Sequence, residues 1–104
     1  MEGVHPHLDE ATLRGTEELL KALANPVRLS IVHELGHGDR CVHELVEALG
    51  APQPLVSQHL RVLRGARVVS ATRRGKEVMY TLQDAHVSQI VDDAIRHTQE
   101  RRTQ

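Results

Sequence analysis

Two short stretches of helical apolar spacing stand either side of a tight glycine turn. In the first, Val42, Leu45, Val46 and Leu49 lie on one face and Gly50 follows at the position where helices commonly end in a left-handed residue. After Ala51-Pro52-Gln53-Pro54 the spacing resumes with Leu55, Val56, Leu60 and Leu63. Helices this short, joined this tightly, predict a helix-turn-helix. Directly beyond Gly65, the runs Val68 to Thr72 and Val78 to Leu82 are rich in β-formers, and Arg73-Arg74-Gly75-Lys76 between them reads as a turn. A hairpin with a cationic tip is therefore expected to follow the helix-turn-helix.

The flanking segments are helical as well. Leu13, Leu19, Leu20 and Leu23 form a loose stripe between Asp9, a candidate cap, and Ala24. Asn25-Pro26 pairs a capping residue with proline at the first helical position, and Val27, Leu29, Ile31, Val32 and Leu35 continue a short, mostly buried helix closed by Gly36. A last amphipathic helix runs from Asp84 to about Glu100 and carries Val87, Ile90, Val91, Ala94 and Ile95. The predicted fold is mainly α with a β-hairpin wing: a winged helix-turn-helix that dimerises through its terminal helices. One domain is expected over residues 1–104, with 1–8 a flexible arm and 101–104 a frayed tail. A chain of this length buries only about 60–65% of its unfolded surface, so association with a second copy would add core.

Several function classes drop out. A lone cysteine, Cys41, excludes an internal disulfide and a four-cysteine zinc ribbon and fits the reducing cytoplasm. No run approaches the roughly 18 apolar residues of a membrane span, and no secretory leader opens the chain. The single aromatic residue, Tyr80, leaves no stacking platform for single-stranded nucleic acid.

A net charge of −1 conceals a strong asymmetry. Between Ala51 and Lys76 lie six cations (Arg61, Arg64, Arg67, Arg73, Arg74, Lys76) and no acid, leaving 7 cations and 14 acids elsewhere. A solvated basic face is the plain reading. Placed on a recognition helix and a wing, however, the same charges form a surface for double-stranded DNA. Gln53, Ser57, Gln58 and His59 have the hydrogen-bonding chemistry for base edges or phosphates, and Arg61 and Arg64 lie where backbone contacts are expected. Arg73, Arg74 and Lys76 would reach phosphates or an adjacent minor groove. One winged helix reads too few base pairs for useful specificity, so a two-fold dimer on a palindrome is expected.

The last helix holds four candidate metal ligands: Asp84, His86, His97 and Glu100. His86 and His97, eleven residues apart, point within about 20° of each other but are separated by about 16 Å along the axis. One ion cannot touch both in one chain. With zinc–nitrogen bonds of about 2.0 Å, sharing requires an antiparallel second helix that sets Asp84 and His86 of one chain against His97 and Glu100 of the other. The resulting N2O2 set is tetrahedral and closed, suited to Zn2+ and less so to Cu(I). The same residues also read as a helix N-cap, a first-turn histidine and an i, i+3 pair without metal.

Asn-Pro-Val-Arg-Leu at 25–29, Cys-Val-His-Glu-Leu at 41–45, Gln-Pro-Leu-Val-Ser-Gln-His-Leu-Arg-Val-Leu at 53–63, Arg-Gly-Lys-Glu-Val-Met-Tyr at 74–80 and Asp-Ala-His-Val at 84–87 with His97 together resemble the ArsR/SmtB family of bacterial metal-responsive repressors. The resemblance spans about Leu19 to Glu100. It implies that Asp84, His86, His97 and Glu100 ligate Zn2+ across the dimer (Co2+ or Ni2+ being possible alternatives), and that metal-free protein holds its operator and releases it on metal binding. Genes for metal efflux or sequestration are then expressed. It also implies a second set, in which Cys41 matches a family cysteine, Glu44 replaces an aspartate, and His43, His5 and His7 add ligands. The paired-cysteine pattern of arsenic, cadmium and lead sensors is absent. For Cys41 itself, one free cysteine reads first as a small buried residue and only then as a ligand. His33 and His37 are assigned to surface or DNA-facing roles.

The alternative function is a regulator of the same fold controlled by Cys41 oxidation or by a partner. An enzyme is not expected, because no open three-ligand zinc motif is present, and no small-molecule substrate is implied.

Overall fold

The computed structural model describes residues 7–102 of the 104-residue chain. Helix α1 (Glu10–Leu23) starts where Asp9 accepts the Thr12 N–H at 2.6 Å. That bond satisfies a first-turn donor and holds the Asp9 carboxyl below the usual carboxylate range. Helix α2 (Pro26–Leu35) is capped as its sequence predicts, with Asn25 Oδ1 accepting the N–H groups of Val27 and Arg28 at 2.9 and 3.2 Å.

Strand β1 (Arg40–Cys41) comes next, then α3 (Val42–Leu49), which ends at Gly50 with φ +65°. Helix α4 (Gln53–Gly65) starts after Pro52 and carries Pro54 in its first turn, where no intrahelical donor is lost. The chain then turns through Arg67 in the left-handed region, φ +62°, and forms β2 (Val69–Arg74) and β3 (Glu77–Leu82) before α5 (Ala85–Arg102). This is the expected winged helix-turn-helix.

The wing differs from expectation in two details. Its turn is two residues, Gly75-Lys76, with Arg74 opposite Glu77; Gly75 at φ +62° supplies the positive φ that so tight a hairpin demands. Arg73 and Arg74 therefore lie on β2 instead of in the turn. Strand β1 also pairs antiparallel with β3, Arg40 opposite Tyr80 and Cys41 opposite Met79, giving the order β1-β3-β2. Two residues are too few for alternation to be read from sequence.

The core lies where α2, α3 and α4 converge on the root of the sheet, with Ile31, Leu45, Val56, Leu63 and Val68 among its fully buried side chains. Gly36 admits α5 closely, since a Cβ there would stand 2.6 Å from Ser88 Oγ. The apolar arc of α5 divides in two. Val87 and Val91 fill the chain's own core and Ile95 packs against it, whereas Ile90 faces solvent at 39% exposure. On α1, Leu13 and Leu20, seven residues apart and so on one face, are each about half exposed.

Candidate nucleic-acid interface and metal centre

Helix α4 presents Gln53, Gln58, Arg61 and Arg64 to solvent, with Ser57 half-buried behind Gln53, whose Nε2 donates to Ser57 Oγ at 3.4 Å. His59 does not join them. It is buried, 9% exposed, so its expected place on the DNA-facing surface is corrected. The reason is helical spacing: His59 lies three residues after Val56 and four before Leu63, on the stripe those residues bury.

Arg28 reaches His59 from α2. Its Nη1 lies 3.0 Å from His59 Nδ1, its Nε donates to the Ala22 carbonyl at 2.6 Å, and its Nη2 donates to the Lys21 carbonyl at 3.5 Å. A guanidinium only donates, so Nδ1 accepts and the imidazole proton sits on Nε2. One side chain thus ties the end of α1 to the middle of α4. Arg28→Ala is expected to cost about 1–3 kcal/mol by leaving these acceptors unpaired. Urea unfolding would show it as a lower midpoint at unchanged slope; an unchanged midpoint would contradict it.

On the wing, Arg73 and Lys76 are exposed. Arg74 Nη2 instead donates to Asp39 Oδ2 at 3.0 Å, an ion pair with both side chains partly in water. Such a pair contributes at most about 1 kcal/mol. Its consequence is positional, since it ties the wing to the loop between α2 and β1.

The four residues singled out on the last helix are all exposed. Asp84 Oδ1 accepts the N–H groups of His86 and Val87 at 2.9 and 3.3 Å, so Asp84 caps α5, and its Oδ2 takes no part in those bonds. His86 Nδ1 stands 3.5 Å from the same Oδ1. His97 and Glu100 occupy the far end of the helix. Within one chain the four do not converge, as the axial distance requires: among the described residues the only grouping of three or more metal-ligating side chains is elsewhere.

That grouping is Cys41, His43 and Glu77, whose ligand atoms all lie within 4.8 Å of one another. It shares Cys41 and His43 with the second set expected from sequence, and Glu44 is not in it. Glu44 Oε1 accepts the Cys41 N–H at 2.9 Å, a bond that holds the Glu44 carboxyl below its ordinary range and makes it the partner of the α3 N-terminus. His7 is exposed and outside the grouping, and His5 lies outside the described residues. Glu77 was not expected; the signal for it is the hairpin register, which sets it two residues from Met79, the partner of Cys41. His33 also departs from a purely surface role, its Nδ1 standing 3.3 Å from Asp92 Oδ1 on α5, whereas His37 is exposed.

A helix-turn-helix with a basic recognition helix and an arginine-bearing wing defines the class: a winged helix-turn-helix domain of the DNA-binding kind. The chain belongs to the arsR family of bacterial regulatory proteins, whose pattern matches residues 25–71. It is 58% identical over 83 residues to the HTH-type transcriptional repressor SmtB of Mycobacterium tuberculosis, covering 80% of this chain and 62% of that protein. It is 41% identical over 92 residues to the HTH-type transcriptional regulator NmtR of the same species, covering 88% and 77%. Among solved structures, the homodimeric winged helix-turn-helix domain of a possible ArsR-family regulator from Mycobacterium bovis matches with TM-score 0.80 and 26% identity over 96% of this chain and 93% of that one. This chain spans under two thirds of the length of the SmtB repressors.

Proposed function

We propose that the protein is a cytoplasmic, metal-responsive repressor that binds palindromic operator DNA as a metal-free homodimer and releases it when Zn2+ enters a site shared by the two α5 helices. The observation that carries this reading is the placing of Asp84 and His86 at one end of α5 and His97 and Glu100 at the other, all four exposed. An antiparallel partner helix brings the two ends together twice, so two symmetric sites follow. Their donors fit zinc: two imidazole nitrogens and two carboxylate oxygens, the Asp84 carboxylate already oriented by its capping bonds. Leu13, Leu20 and Ile90 supply apolar surface for the dimer contact, and the homodimeric M. bovis relative supports it. No helix among the described residues is long and apolar enough to cross a membrane.

In the DNA complex Gln53, Ser57 and Gln58 read base edges while Arg61, Arg64, Arg73, Arg74 and Lys76 neutralise phosphates. Zinc has an effect only if it prefers a dimer geometry that fits DNA poorly, and by linkage DNA then weakens zinc to the same degree. The genes released are those for metal efflux or sequestration.

Fluorescence anisotropy of a labelled operator, selected from random DNA and titrated with metal-free protein and then Zn2+ at fixed salt, tests the proposal. Release at about one or two ions per dimer is expected from the symmetry. Binding insensitive to zinc would sink it. Arg73→Ala is expected to weaken binding across sequences and lower the salt slope by about one, and an unchanged slope would remove the wing from the interface.

A further inference from the structure

We propose that Arg28 and His59 act together as a specificity-determining positioning pair, fixing the rotation of α4 about its own axis so that Gln53, Ser57 and Gln58 meet base edges in register. The inference rests on the reading of α4 as the helix that enters the DNA, and deepens it. His59 touches no base; buried on the inner side of α4, it serves the reading surface from behind.

Apolar packing fixes that rotation only coarsely. Val56, Leu60 and Leu63 bury one stripe of α4, and the attraction that holds them there is non-directional. At ~100° per residue, His59 lies on the flank of this stripe, about 160° round the helix from Ser57 and about 120° from Gln53. Side chains reach about 5–6 Å from a helix axis, so a roll of about 10° carries their tips through about 1 Å. A hydrogen bond tolerates only about 0.5 Å, from roughly 2.7 to 3.2 Å. A small roll therefore breaks base contacts while leaving apolar burial nearly unchanged.

A directional bond on the far flank prevents the roll. His59 Nδ1 accepts from Arg28 Nη1 at 3.0 Å, and the guanidinium is itself held, its Nε donating to the Ala22 carbonyl at 2.6 Å and its Nη2 to the Lys21 carbonyl at 3.5 Å. Those carbonyls belong to the last turn of α1, where the helix dipole favours a cation. The Arg28 main chain is fixed as well, its N–H donating to Asn25 Oδ1 at 3.2 Å in the first turn of α2. A planar guanidinium with its donors in a rigid fork passes this placement on to α4; a lysine ammonium, a point charge on a flexible stem, does not.

The readout is the ratio of the affinity of the metal-free protein for a selected operator to its affinity for random duplex of equal length, measured by fluorescence anisotropy at fixed salt. Destabilisation alone lowers both affinities by the same folded fraction and leaves the ratio in place. His59→Leu keeps bulk and removes the acceptor. It is expected to lower the ratio at least about fivefold, the lower end of what one good base contact contributes. The salt slope should stay at wild type, since no phosphate-facing cation changes. Should His59→Leu not fold, Arg28→Lys tests the same bond, keeping the charge at the end of α1 and losing the fork; it should lower the ratio likewise. His59→Asn, whose Oδ1 stands as many bonds from Cα as Nδ1 does, should restore most of the ratio. A ratio unchanged in Arg28→Lys, or as low in His59→Asn as in Arg28→Lys, would overturn the proposal and leave α4 as the reading helix. Equal binding of the wild-type protein to every duplex would instead remove α4 from that role, and the function of the pair with it.

Discussion

His97→Ala is expected to abolish zinc-induced release of the operator while leaving metal-free binding within roughly 0.5 kcal/mol of wild type, the range of ordinary surface substitutions. His97 is exposed on α5, far along the helix from the capped end at Asp84, and its loss removes no core contact. In an antiparallel pair of α5 helices each ion takes one His97, so a single substitution strips a nitrogen from both symmetric sites at once. Coupling between a metal and a distant ligand typically amounts to about 1–3 kcal/mol, or roughly a 5- to 150-fold loss of operator affinity on zinc addition. In the variant that factor should fall to one. His86→Ala should behave alike, since each site needs both histidines. A variant lacking His97 that still released DNA at stoichiometric zinc would transfer the signal to another site.

Leu63→Ala is expected to cost about 2–5 kcal/mol of folding stability, out of a total of roughly 5–15 for a domain of ordinary stability. Leu63 is fully buried, and its carbonyl accepts the Val68 N–H at 2.9 Å where α4 hands over to the sheet. The lost packing cannot be recovered by a shift of α4 alone, because Val56, Leu60 and His59 hold the same face of that helix in the core. Urea unfolding at fixed protein concentration, since the proposed dimer would add to apparent stability, measures the loss. Val62→Ala, one position away and 41% exposed, is the control and should change stability by no more than about 0.5 kcal/mol. A Leu63→Ala cost below about 1 kcal/mol would mean that α4 is not anchored as described.

The fold was legible because its punctuation is local. Asp9, Asn25-Pro26 and Gly50 each act on the backbone within a few residues, and each sits where the sequence places it. What was not legible depends on pairing across the chain. Strand β1 is too short to show a period, and the Arg74–Asp39 and Arg28–His59 contacts join residues 35 and 31 positions apart. Glu77 meets Cys41 only through the β1–β3 register. His59 is a different kind of miss. Its spacing from Val56 and Leu63 already placed it on the inner face, but its polar chemistry outweighed that pattern, and the arginine that makes burial tolerable lies on another helix. The α5 residues were legible as a spacing; within one chain they stand at opposite ends of the helix.

The most direct test of zinc-linked repression is the zinc affinity of the dimer measured twice, free and saturated with operator, by competition with a chelator of known affinity. Linkage requires the operator to weaken zinc by the same factor by which zinc weakens the operator. Two matching factors are expected, both reduced to one in His97→Ala. Equal zinc affinity with and without DNA in the wild-type dimer would contradict it.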